Sequence, residues 1–96
     1  MENETVTLTL QRPITSDKGE TIRELTFRPP TLGDFIGAEK LGDTEFQFSA
    51  ALLAGMSGRT YAEMTKLDMR DATAAIEMTK AFIPNRLAAA GRGSPT

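Results

Sequence analysis

Carboxylates carry almost all the acid–base chemistry this sequence offers, because its 96 residues include no histidine and no cysteine. The usual neutral-pH general base, the thiol nucleophile and the soft metal ligands are therefore missing. What remains is a set of 13 acidic side chains and their spacing. Four of them, Asp34, Glu63, Asp68 and Asp71, stand at predicted helix starts. Thr31 stands three residues before Asp34, Thr60 three before Glu63, and Thr44 three before Gln47. In this pattern the threonine hydroxyl accepts from an orphan helix N–H while the acid or amide reaches back to the cap. An acid there also meets the positive end of the helix dipole. The helix starts account for these carboxylates, and their spacing matches neither a calcium loop nor a catalytic acid pair. No catalytic, cofactor-binding or metal-ligating residue is expected, and no enzyme activity.

The charge balance narrows the partners. A formal net charge of −2 offers no basic face for nucleic acid. On the last predicted helix Arg70 and Lys80 are offset by Asp71 and Glu77. Arg23, Glu24, Arg28 and Glu39 read as a solvated face. No apolar run approaches the roughly 20 residues of a membrane span. The acidic start, Met1-Glu2-Asn3-Glu4, lacks the basic and apolar regions of a signal peptide. The lack of cysteine suits a reducing compartment.

The elements that position these residues follow from a single change of hydrophobic period. Val6, Leu8 and Leu10 alternate with Thr5, Thr7, Thr9 and Gln11, which predicts a strand with one apolar and one threonine-rich face. Ser16-Asp17-Lys18-Gly19 reads as a type I turn in which Gly19 takes positive φ to close a three-residue loop. A second strand runs from about Glu20 to Arg28. Pairing Ile14 with Ile22 in a continuous register would send Leu25 and Phe27 to the wrong face, so a one-residue bulge is expected near Pro13. Pro29 and Pro30 then end the ladder.

Helical periodicity begins at Thr31. The first helix should run to about Leu41, bury Leu32, Phe35, Ile36 and Leu41, and stop at Gly42. A second should start at Asp43 or Thr44 and end near Gly58. A short turn follows from Thr60 through Met64 and Leu67. The last helix opens at Asp68 and Asp71, with Met69, Ala72, Ile76, Thr79 and Ile83 on its apolar stripe and Phe82 beside them. The fold class is α+β: an N-terminal β-hairpin over 5–28 packed on three to four short α-helices over about 31–83. Residues 1–83 form one domain, and 84–96 are expected to be a flexible tail in which 87–90 could form a helical turn against a partner.

Two blocks of sequence resemble a known family. The threonine-rich strand, Pro13-Ile14, and Glu24-Leu25-Thr26-Phe27-Arg28-Pro29-Pro30-Thr31-Leu32-Gly33-Asp34 with Ala38-Glu39-Lys40 look like the opening of Mu-like phage and prophage tail assembly chaperones. Leu52-Leu53-Ala54-Gly55-Met56-Ser57-Gly58 and Leu67-Asp68-Met69-Arg70-Asp71 resemble the rest of that pattern. The resemblance implies a non-enzymatic chaperone that binds the tape measure protein and keeps it soluble in the host bacterial cytoplasm during virion morphogenesis. It also implies a second partner, a longer form of the chain itself made by ribosomal frameshifting.

A groove of adaptable apolar side chains suits such a client. Partner-binding candidates are Phe46, Phe48, Leu52, Met56, Met64 and Met78, of which Phe48 and Met78 lie off the dominant stripe and are expected to be exposed. Two other readings stand beside this one: a small structural tail or capsid subunit, and a DNA-binding regulatory module built on short helices joined by glycine turns.

Overall fold

A computed structural model describes residues 4–83 of the chain. Strands β1 (Val6–Thr15) and β2 (Thr21–Phe27) form a two-stranded antiparallel sheet. Helices α1 (Leu32–Leu41), α2 (Glu45–Ser57), α3 (Tyr61–Met64) and α4 (Met69–Thr79) follow, and a 3₁₀ turn, Lys80–Phe82, ends the described chain. This is the α+β arrangement that the change of period predicts. The expected tail over 84–96, with its helical turn at 87–90, lies outside the described residues.

The hairpin closes as its turn residues require. Ser16 N–H donates to the Glu20 carbonyl at 2.7 Å and Gly19 N–H to the Ser16 carbonyl at 2.9 Å, with Gly19 at φ +89°. The Ser16 hydroxyl accepts from Lys18 N–H and Glu20 N–H, so the loop holds itself.

The bulge is larger than expected. Ile14 pairs with Ile22, yet Leu8 pairs with Leu25 and Val6 with Phe27. Between Thr9 and Ile14, β1 carries residues 10–13 where β2 carries only Arg23, a slip of three residues instead of one. Both slips are odd, and an odd slip is what returns the apolar set to one face. Leu10, Ile14, Ile22, Leu25 and Phe27 are all buried as a result.

Three helices begin in the predicted capping boxes. Thr31 with Asp34, Thr44 with Gln47 and Thr60 with Glu63 each exchange both reciprocal bonds. Gly58 ends α2 at φ +73°, a left-handed cap that costs a side-chain-bearing residue about 1–2 kcal/mol. Gly42 lies where α1 turns into α2. A methyl group there would stand 2.6 Å from Phe48 Cα and 2.7 Å from Gln47 C.

Helix α2 is the centre of the core. Ala51, Leu52, Leu53, Ala54 and Met56 are buried, and Arg28 N–H at the end of β2 donates to the Met56 carbonyl at 3.1 Å. Phe27 is completely buried beneath it.

Two expected stripes are rotated. On α1 the buried residue is Ala38, while Leu32 (76%), Ile36 and Leu41 are exposed. The helix packs mainly on α2, so only the face carrying Asp34, Phe35 and Ala38 is covered. On α4 the buried line is Asp71, Ala75 and Thr79, while Met69 is exposed and Ala72 and Ile76 are half-buried. Ala75 is completely buried, and the Thr79 hydroxyl donates back to the Ala75 carbonyl at 2.8 Å.

Candidate functional site

The carboxylates prove to be ties between hairpin and helices. Asp34 accepts Thr31 N–H at 2.8 Å and also a fork of bonds from Arg28, at 2.8 and 3.3 Å. The same guanidinium donates to the Gly55 carbonyl at 2.7 Å, so one side chain joins β2, α1 and α2. Arg28 holds the Asp34 carboxyl below its usual range and its own pKa rises in return. Glu63 accepts Thr60 N–H at 2.9 Å and, across the chain, Asp17 N–H in the hairpin loop at 2.8 Å. Those two amides depress the Glu63 carboxyl.

Asp71 departs from the helix-start role. It is 1% exposed and accepts Gln11 N–H at 2.9 Å and Arg12 N–H at 3.1 Å. The enlarged bulge frees these amides from the ladder, and Asp71 satisfies both. Asp68 alone caps α4, through Arg70 N–H at 2.8 Å, and pairs with the Arg70 guanidinium at 3.0 Å. That side-chain pairing with Arg70 comes first in lowering its pKa to about 2, followed by the Arg70 backbone N–H. Among the described residues no group of three or more acids is placed to hold a metal ion.

A pH dependence follows from these depressed carboxyls. Each binds a proton more readily when the chain is unfolded, where Asp and Glu titrate near ~4. Their contribution is complete above that value and is lost as pH falls through the folded pKa. For Asp68 the loss therefore runs from ~4 down to about 2. Urea midpoints measured across this window should fall steadily, and Asp68→Asn should flatten part of the slope. An unchanged slope in that variant would show that the Arg70 pair contributes nothing to folding.

With the acids committed to structure, the concave apolar surface lies elsewhere. Helices α2 and α4 touch at few points, and between them opens a cleft of about 310 Å³. Leu52, Leu53 and Met56 line it from α2, Ile76 and Thr79 from α4, and Phe35 reaches it from α1. Phe48 and Ser49 lie along the same wall, with Lys80 and Ile83 on the side where the described chain ends. The Phe35 and Phe48 rings are tilted by 58° at 6.0 Å between centroids, an aromatic pair that fixes the end of this wall.

The residues matched by a family model coincide with this architecture. Residues 7–84 match the model of phage tail assembly chaperone proteins, E, or 41 or 14. The chain belongs to that family. Comparisons with curated proteins and with solved structures give no match. The match spans the hairpin, the four helices and the cleft, so the assembly chaperone family is a property of the whole described fold.

The structure sorts the six candidate residues of this family member. Phe48, Leu52 and Met56 come together on the cleft wall. Leu52 and Met56 are nonetheless buried, and Phe48 is half-buried, because all three also pack on the core. Met64 is a core residue away from the cleft lining. Met78 is half-buried and Phe46 is 67% exposed, and neither lines the cleft. Phe48 and Met78, the better candidates for exposure, are both half-buried, and the Phe48 ring lies tilted against that of Phe35. Sequence periodicity missed Phe35, Ile76 and Ile83 as lining residues by assigning them to core stripes. The signal for Ile83 was its place just before Pro84, where helix must end.

No helix among the described residues is long and apolar enough to cross a membrane.

Proposed function

We propose that this chain binds an apolar helical segment of the tape measure protein in the cleft between α2 and α4, keeping that client soluble while the phage tail assembles in the host cytoplasm. One observation carries the reading: a member of a tail assembly chaperone family opens an apolar cleft between two of its helices. The client's apolar stripe would lie against Phe48, Leu52 and Met56, with Ile76 and Ile83 opposite. Methionine 56 lends this wall the adaptability that related client segments demand. No cofactor and no reaction are needed. Burying a few client side chains gains about 1.5–3 kcal/mol each before ordering costs. The sum reaches the micromolar range, weak enough for release as the tube polymerises.

Co-expression with the tape measure protein tests the reading. Ser49→Arg places a cation in the cleft beside Lys80, and Ile83→Asp puts a carboxylate at its end. Both should return the client to the insoluble fraction while circular dichroism shows an intact fold, with affinity falling about 10–100-fold for a buried unpaired charge. Phe46→Asp, outside the cleft, should leave solubilisation unchanged. A client equally soluble with and without this chain would end the proposal. Phe46→Asp acting alone would move the site to the exposed end of α2.

A further inference from the structure

A single charge interrupts the apolar lining of the cleft. Among the described residues that line it, Lys80 alone is ionised, and Ser49 and Thr79 are the neutral polar ones. The Thr79 hydroxyl is already committed to the Ala75 and Ile76 carbonyls, at 2.8 and 3.2 Å. Lys80 is placed differently. It opens the 3₁₀ turn after α4, beyond Ile76 and Thr79, and so stands toward one end of the α4 wall. Its side chain lines the cleft yet is 66% exposed, as a lysine is when its methylene stem lies on apolar surface and its ammonium reaches water. Nζ donates to Glu77 Oε2 at 3.1 Å. Both partners are exposed, so that pair is weak and exchanges readily. An ammonium has three donors, and this bond uses one of them. The facing wall sets a length. Phe48, Leu52 and Met56 recur at four-residue spacing on α2, a rise of about 12 Å that meets about two turns of a client helix.

We propose that Lys80 selects among client segments, favouring an amphipathic helix whose two-turn apolar stripe is bordered at one end by an aspartate or glutamate. The inference rests on the cleft being the client site. Apolar contact is non-directional, so the Phe, Leu, Met and Ile lining accepts a client helix either way round. A cation at one end does not. The client carboxylate accepts from the Lys80 ammonium beside or in place of Glu77, which fixes the direction and register of the client as well as its preference. A basic residue at the same client position meets a like charge and is rejected.

Fluorescently labelled synthetic helices of about 18 residues, about five turns, test this against the full-length chain by anisotropy. Each carries leucine at i, i+3, i+4 and i+7. Glutamate, glutamine or lysine stands one turn before that stripe or one turn after it. At one of these two positions, and not at the other, the glutamate peptide should bind about two- to fivefold tighter than the glutamine peptide, and the lysine peptide weaker than both. The net charge of −2 on the chain works against an acidic peptide, so this order identifies a local cation. The preference should fade in ~1 M salt, where the Debye length is ~3 Å. Lys80→Gln should bring the glutamate and glutamine peptides together, and Lys80→Glu should reverse the order in favour of lysine. Glu77→Gln, which releases Lys80 from its ion pair, should widen the preference. Ile83→Asp, which charges the lining itself, should weaken every peptide. Equal binding of all peptides by the native chain, or a preference that survives Lys80→Gln, would overturn the proposal and leave the cleft reading standing as long as Ile83→Asp still weakens them. An equal preference at both positions would overturn the directional role. If no peptide binds, or Ile83→Asp weakens none, the cleft reading falls and this proposal falls with it.

Discussion

Gly42→Ala should be among the most damaging single-methyl additions in this chain. Its backbone angles, φ −117° and ψ 114°, suit any residue, so the requirement is space alone. The added carbon would lie 2.6 Å from Phe48 Cα and 2.7 Å from Gln47 C, both backbone atoms. Neither can rotate away as a side chain does. Relief would need α1 and the first turn of α2 to part, and that movement would separate the Phe35 and Phe48 rings and weaken the α2 capping box. Overpacking against movable groups costs about 1–3 kcal/mol, so a cost of about 3 kcal/mol or more is expected here. A domain of this length holds only about 5–15 kcal/mol, and the urea midpoint should fall by roughly a fifth or more at unchanged slope. Gly37→Ala supplies the contrast on the same helix. Nothing lies within 4 Å of a methyl group there, and the gain in helix propensity should raise stability by about 0.5–1 kcal/mol. If the two variants unfold alike, the α1–α2 approach is looser than these distances state.

Gly42 also illustrates which features a sequence displays and which it conceals. As a helix stop it is plain from the end of the α1 pattern, because caps and stops are settled within a few residues. For the same reason the boxes at Thr31, Thr44 and Thr60 and the loop closed by Gly19 are where local chemistry puts them. Its second role, close approach to Phe48, depends on how two helices lie together and leaves no mark in the pattern. The same divide runs through the rest of the fold. The parity of the β1 bulge follows from Leu25 and Phe27 having to face the core, but its size depends on Asp71, some sixty residues away. Leu32, Ile36 and Leu41 have helical spacing suited to a core, yet α1 is covered on another side. The cleft was half legible. Phe48, Leu52 and Met56 share one wall because they share one helix, whereas Phe35, Ile76 and Ile83 reach it only through tertiary packing.

Asp71 gives the second large effect, and it connects stability to the cleft. Asp71→Ala should cost about 2–4 kcal/mol, since it strands two bulge amides that now bond to a carboxylate. Asp71→Asn should recover only part of this. Its amide oxygen can serve Gln11 N–H or Arg12 N–H, but the NH2 group then faces the other donor. Hydrogen exchange should report the loss locally, with the Gln11 and Arg12 amides quickening before those paired near Leu8 and Leu25. The consequence reaches further because α4 lies against β1 and Asp71 bonds the two elements directly. That attachment is expected to hold Ile76 and Thr79 back from Leu52 and Met56 and so to keep the gap between α2 and α4 open. Without it, apolar attraction across the cleft favours α4 settling toward α2 and burying the surface that a client would use. Asp71→Asn should therefore bind an apolar client segment more weakly than its residual stability alone predicts, with Leu52 and Met56 methyl shifts moving in the unbound protein. Stable folding with native shifts and native exchange at Gln11 and Arg12 would show that Asp71 neither satisfies the bulge nor sets the cleft.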